Sequence, residues 1–369
     1  MHYACIIMVS SLLPYLTQAQ AALTCDIDAV NEHGEHQQVS IPAERPLTVY
    51  VDKRELVTLM TLGAHPELLV LGYLRNQRLL RHVEDVESIT VDWDVGAAAV
   101  KTRHGIEKLE EKTAQRVVTT GCGQGSVFGG LMDEVDTLVL PADASISQAQ
   151  LYALVNAVRL KESTYKSAGS VHACALFDIS CAQATMLLFI EDVGRHNAID
   201  TIAGWMWMNM APTFPTACGS LPPEGAAAPA DWQSQIRGPG LKDFLGRDEV
   251  STEAGSTALL LPGEISVRPD EEINAVSDPS TMDPHNTSSL AFYTTGRLTS
   301  EMVIKSAQMG VPVVVSRSGI TQMGHAVAQQ VGLCAIGRAT NKRFLCYSAP
   351  HRLLLEPGLA GVSPVSDRE

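Results

Sequence analysis

The chain has 369 residues, which at roughly 150 residues per domain allows two to three domains and a sizeable core. Hydrophobic residues make up 45% and charged residues 18%, which excludes wholesale disorder and collagen-like repeats. The longest apolar run, Ala4 to Leu16, is cut by Ser10, Ser11 and Pro14 and falls short of the roughly 18 residues a membrane-spanning helix needs. The net charge of −14 and an aromatic content of only 5% argue against a nucleic-acid partner, which would need a broad basic face and stacking rings.

Met1 to Cys25 carries no Lys, Arg, Asp or Glu and ends near Ala19-Gln20-Ala21, which resembles a cleavage site. A basic start is missing, so residues 1–40 read as a loose N-terminal extension in preference to a working signal peptide. Residues 41–210 read as the first part of the core. Leu47 to Val51 has strand character, Glu67 to Leu80 reads as a helix, and the acidic Val83 to Asp94 reads as loop and edge. Ser145 with Gln148 three residues on has the form of a capping box, and Leu151, Leu154, Val155 and Val158 then share one helical face. Val171 to Phe177 and Met186 to Ile190 read as two strands. The second leads through Gly194 into a helix over His196 to Met208.

From Ala211 to Ser289 the composition changes: 10 of the 19 prolines fall there, with 4 Lys and Arg against 12 Asp and Glu. This stretch, residues 211–289, reads as a long Pro- and Ala-rich acidic insertion of low order. Residues 290–355 then alternate strand and helix: Leu290 to Thr295, helix Thr299 to Met309, Val311 to Val315, helix Thr321 to Val331, and Leu333 to Ile336. Each of the two helices is followed by Gly. Such a βαβαβ order predicts a layered α/β domain whose strand-end loops gather at one sheet edge. Residues 356–369 form a tail. Leu290 to Arg352 holds 7 Lys and Arg against 1 Glu, which reads either as an anion site or as a solvated basic face.

The eight cysteines stand at 5, 25, 122, 174, 181, 218, 334 and 346, and no two are three apart, so zinc ribbons and thioredoxin-type pairs are excluded. Scattered over apolar stretches, they suit a reducing compartment. Cys174, Cys334 and Cys346 lie in strand-like runs and are expected in the core. Cys122 differs, because five of the ten residues from Gly121 to Gly130 are glycine and a strand-like Arg116 to Thr120 precedes it. A thiol on such a backbone suits a nucleophile or sulfur carrier that visits two partners. From the spacing alone a glycine-rich turn that happens to include a cysteine is the preferred reading, since nothing nearby fixes a low thiol pKa. Neither a dinucleotide fingerprint nor a P-loop is present. His172 and His196 read as structural residues before bases.

Gly169-Ser170-Val171-His172-Ala173-Cys174 and the block Glu191-Asp192-Val193-Gly194-Arg195-His196-Asn197-Ala198-Ile199-Asp200 together resemble the FdhD family of formate dehydrogenase accessory sulfurtransferases. The likeness runs in order through Glu44 to Leu47, Leu71 to Tyr73, the Cys122 loop, Gly296 to Val303 and Gly337 to Arg343, and covers roughly residues 41 to 210 and 290 to 355. It implies a cytidine-deaminase-like layered α/β fold, a homodimer and a cytoplasmic protein. It implies that a cysteine desulfurase supplies persulfide sulfur, and that the recipient is the molybdenum cofactor, a bis(molybdopterin guanine dinucleotide), bound as substrate for formate dehydrogenase. By motif, Cys122 becomes the persulfide residue, and Gly337, Arg338, Ala339, Thr340, Asn341 and Lys342 hold the guanine-nucleotide cofactor, with Arg343 just beyond. Zinc hydrolysis is not expected, because the chain offers His172-Ala173-Cys174 where a deaminase needs His-Ala-Glu and a later cysteine pair. One departure bears on mechanism: Gly125 stands where many members carry a second cysteine. A cofactor-binding insertion chaperone that transfers no sulfur is therefore the competing reading.

Overall fold

The computed structural model describes residues 13–106, 117–118, 125–126, 135–161, 163–210 and 287–359. The first sheet is built from β1 (Tyr15–Leu16), β4 (Arg45–Val51), β5 (Arg54–Thr61), β6 (Val86–Asp92) and β7 (Ala97–Thr102), in the order β1-β6-β7-β4-β5. Between β1 and β4, the strands β2 (Thr24–Val30) and β3 (His36–Pro42) form a separate antiparallel hairpin. The stretch read as a loose extension thus holds one sheet strand and one complete hairpin. Val83 to Asp94, read as loop and edge, is corrected to a short 3-10 turn followed by β6, which β1 and β7 flank. Its charges mask an alternation in which Val86, Ile89 and Val91 are buried. Helix α1 (Pro66–Asn76) covers this sheet, and its Leu69, Val70 and Leu74 join Leu47, Val49 and Ile89 in one core. The helix ends four residues before the expected Leu80, because Arg78 takes the left-handed conformation at φ 54°.

A short antiparallel pair, β8 (Val117–Val118) with β9 (Gly125–Ser126), follows. The next strand, β10 (Ile146–Ser147), pairs parallel with β17 (Leu353–Leu354). That pairing keeps residue 147 extended and moves the start of helix α2 (Gln148–Leu160) two residues beyond the expected cap. Ser147 accepts from the Gln150 N–H while the Gln150 side chain accepts from the Ser147 N–H. Leu151, Leu154 and Val155 face inward as the periodicity predicts. A five-residue helix, α3 (Thr164–Ala168), comes next.

The second sheet has the order β12-β11-β13-β14-β15-β16. Its strands are β11 (His172–Asp178), β12 (Thr185–Asp192), β13 (Leu290–Thr294), β14 (Val313–Ser316), β15 (Cys334–Thr340) and β16 (Arg343–Cys346). β13, β14 and β15 run parallel, and the outer pairs are antiparallel. One face is covered by α4 (Arg195–Asn209), α5 (Ser300–Gln308) and α6 (Gln322–Gln330), the other by α2. The expected layered α/β arrangement is therefore present, and the continuous apolar runs Val313 to Val315 and Leu290 to Tyr293, buried on both faces, are its cause.

The joint between the two sheets is the contact of α1 with α4. A Cβ on Gly72 would stand 1.6 Å from the Asp200 carbonyl oxygen, and one on Gly204 would stand 2.0 Å from that of Leu68. Glycine at both positions lets the helix backbones touch. Polar ties close the joint. Asp192 accepts from the Thr61 hydroxyl, from the Leu62 and Gly194 N–H groups and from Asn197 Nδ2. Asp200 accepts from Asn76 Nδ2 at 2.7 Å and from Lys305 Nζ at 2.9 Å.

Candidate functional site

Parallel strands end together, so the loops after β13, β14 and β15 meet at one edge of the second sheet, the usual place for a ligand in such folds. On the α2 face of that edge lies a cleft of about 370 Å³. Tyr293, Thr295, Arg317 and Ala339 to Asn341 form its floor, and Val155, Val158 and Arg159 of α2 form one wall. Lys161, Ser163 and Lys166 close the end, and Phe189 and Glu191 of β12 complete it. Four cations, Arg159, Lys161, Lys166 and Arg317, thus face one carboxylate among the lining residues. Glu191 is held by the Thr164 N–H at 2.7 Å, and Arg159 donates to Asn156 Oδ1 at 2.8 Å. Burial pushes the Tyr293 phenol up to about 12, so it stays a neutral hydrogen-bonding group in the floor. A cationic, partly apolar cleft of this kind offers the chemistry to take phosphate or diphosphate groups, with room for one nucleotide-sized portion of a larger molecule.

The six residues Gly337 to Lys342 form the bulged end of β15 and the turn into β16. Gly337 is required there. Its Cβ would stand 2.7 Å from the Tyr347 ring and 2.9 Å from the Ser318 carbonyl, and Arg338, at φ 52°, donates its N–H to that same carbonyl. The bulge divides the segment. Ala339, Thr340 and Asn341 line the main cleft, whereas Arg338, Thr340, Lys342 and Arg343 line a second, shallower one of about 550 Å³ on β16. Arg297 belongs to neither; it lies near His172, whose pKa is lowered by burial first and then by Arg195 and Arg297.

Three cations of the main cleft, Arg159, Lys161 and Lys166, are not singled out by the sequence reading, because the charge blocks that stand out lie after residue 210. The signal was present as three cations within eight residues at the end of a well-capped helix. Cys122 lies outside the described residues; β8 and β9 pair on either side of it in the chain, with Val118 opposite Gly125. Cys174 and Cys334 are fully buried, as expected, but Cys346 is only half-buried. His196 is structural: buried at the start of α4, it lies 3.4 Å from Glu301, which itself holds Lys305. Among the described residues no group of three or more His, Cys, Asp or Glu could hold a metal ion, and no helix is long and apolar enough to cross a membrane.

Curated relatives are similar to the chain over most of its length. A sulfur carrier protein FdhD of Bacillus subtilis is 25% identical over 87% of this chain and 94% of its own, and one of Listeria innocua is 22% identical over 87% and 95%. A crystal structure described as a formate dehydrogenase accessory protein, from Desulfotalea psychrophila, superposes with a TM-score of 0.54 at 19% identity, covering 90% of this chain and 98% of that one. It shares the fold. The FdhD/NarQ family model matches residues 42–216 and 280–354, which take in β4 to β7 of the first sheet, the glycine-tied joint and the whole basic edge. By that match the chain belongs to the FdhD/NarQ family.

Proposed function

We propose that the protein is a sulfur carrier for formate dehydrogenase, which receives sulfur from a cysteine desulfurase and passes it to the molybdenum cofactor, a bis(molybdopterin guanine dinucleotide). The observation that supports this most is the basic cleft at the strand edge, with four cations facing one carboxylate and Ala339 to Asn341 in its floor. In this reading the Cys122 thiolate attacks the terminal sulfur of the donor's persulfide, the donor thiolate leaves, and Cys122 holds the sulfur until the cofactor accepts it. Arg159, Lys166 and Arg317 bind and orient a diphosphate of the cofactor, and Arg338, Lys342 and Arg343 extend the positive surface along β16. The protein works as a homodimer in the cytoplasm, where a reducing environment suits the five free cysteines among the described residues.

Two measurements test the two halves of the proposal. Incubation with a desulfurase and cysteine should add one sulfur to the Cys122 peptide, and Cys122→Ala should remove both that mass and formate dehydrogenase maturation. Maturation that survives in the Ala variant, with nucleotide binding intact, would favour the insertion chaperone, a reading that Gly125 in place of a second cysteine supports. Arg317→Glu should weaken guanosine diphosphate binding by about tenfold or more in calorimetry, and added salt should weaken the wild type. Unchanged, salt-insensitive binding would move the site off this edge.

A further inference from the structure

Cys334 and Cys346 are adjacent thiols, with their sulfurs 4.0 Å apart across the β15–β16 ladder. Their surroundings differ. Cys334 is fully buried, whereas Cys346 lies half-buried on β16, an end strand of the sheet, beside Phe344 and Leu345 of the shallower cleft. We propose that this pair is a second sulfur-handling site, in which Cys346 takes a sulfane sulfur from a low-molecular-weight persulfide and Cys334 releases it as hydrosulfide.

The chemistry balances without a further reagent. The Cys346 thiolate attacks the terminal sulfur of the persulfide and expels a low-molecular-weight thiolate, leaving a persulfide on Cys346. Cys334 then attacks the Cys346 sulfur through its thiolate, and the terminal sulfur departs with the bonding electron pair as hydrosulfide. The sulfane sulfur has gained two electrons, the two thiols have lost them, and a Cys334–Cys346 disulfide remains. Cys346 pairs with Ile336, so Cys334 is its diagonal neighbour, and bond formation closes the sulfurs from 4.0 Å to about 2.05 Å with movement of the end strand β16.

The environment assigns the roles in that order. The hydrogen bond from Cys334, working against burial, lowers the Cys346 thiol to about 7, while Cys334 is pushed up by the same bond and by burial. Cys346 is therefore the more exposed of the two thiols and the more readily ionised. Arg352, anchored on the Gly332, Pro141 and Ala144 carbonyls, places a positive charge close enough to favour the Cys334 thiolate when its turn comes. The site stands whether or not Cys122 carries sulfur, and its position on the hairpin that bears Arg338 to Arg343 would link its oxidation to the cofactor cleft.

The experiment uses the full chain carrying Cys122→Ala, so that the proposed carrier thiol is silent, with glutathione persulfide as probe. Hydrosulfide should appear in a burst of one per chain, and the Cys334 and Cys346 peptides should be recovered joined and two hydrogens lighter. Cys346→Ser should abolish both signals. Cys334→Ser should stop the burst while one added sulfur accumulates on Cys346, a product that only a folded, reactive site gives. A burst that persists in Cys346→Ser, or an absence of sulfur on Cys346 in the Cys334→Ser protein, would overturn the proposal and leave the Cys122 reading untouched.

Discussion

Burial at the start of α4 lowers the His196 imidazole to about 3, against the opposing pull of Glu301, and Lys305 and Arg195 lower it further. The folded protein therefore keeps this ring neutral at a pH where the unfolded chain, with an ordinary imidazole near 6.5, protonates it. Below about pH 6.5 the unfolded state binds the extra proton, so stability falls as pH falls, by up to ~1.4 kcal/mol per pH unit from this group. Urea midpoints measured from pH 7.5 to about 5.5 should fall less steeply for His196→Gln than for the wild type. Parallel slopes would mean that the ring is protonated in the fold. Asp192 and Asp200, whose carboxyls burial raises, act in the opposite sense, and comparing two variants at the same pH removes their share. Lys305 carries a different stake, since it is buried between Asp200 and Glu301 at 2.9 and 3.3 Å. Lys305→Ala leaves two buried carboxylates facing each other, and a loss of about 3–5 kcal/mol in denaturant unfolding is expected.

The joint between α1 and α4 shows how an element-scale contact hides in a sequence. Tyr73 and Leu74, Ile199 and Ile202 announce apolar faces, and both helices were legible from that periodicity. That the two helices meet, and meet through Gly72 and Gly204, was not, because a glycine that admits a neighbouring backbone looks the same in sequence as one that ends a turn. Gly204→Ala should cost roughly 1–3 kcal/mol or more in denaturant unfolding, since the new Cβ would stand 2.0 Å from a carbonyl oxygen. Gly358→Ala, where a Cβ meets nothing within 4 Å, should stay within about 0.5 kcal/mol and serves as the control. Equal effects would deny the close approach. A similar limit governs the strands. β11 to β15 were readable from runs such as Val313 to Val315, whereas β6 was missed because Glu87, Thr90 and Asp92 on its outer face outweigh its buried Val86, Ile89 and Val91. The basic edge was half-legible for the same reason: Arg317 and Arg338 lie in the visibly basic segment, but Arg159 and Lys166 reach the cleft only because α2 and α3 fold back over it.

At the scale of the whole molecule, charge is sorted along the chain and then re-sorted in space. The acidic stretch of 4 Lys and Arg against 12 Asp and Glu interrupts the chain between α4 and β13, two elements that share one hydrophobic core. β13 pairs with β11 and β14 in the middle of the sheet, so the chain that leaves at Met210 must return to an interior strand. The family model spans this break by matching up to residue 216 and again from residue 280. Removal of residues 217–279 joins the two matched segments and leaves thirteen residues between Met210 and Thr287 to act as the linker. A random-coil linker of that length would span a root-mean-square distance on the order of 20 Å, comparable with the width of a few strands. We expect the shortened chain to unfold in a single cooperative thermal transition and to keep its guanosine diphosphate binding. Without the acidic stretch, long-range repulsion of a diphosphate is reduced, so affinity should rise at low salt and the gain should fade as salt shortens the Debye length to below about 10 Å. A broad, non-cooperative transition would show that the stretch supplies part of the core. An affinity gain that survives high salt would show that it contacts the cleft directly.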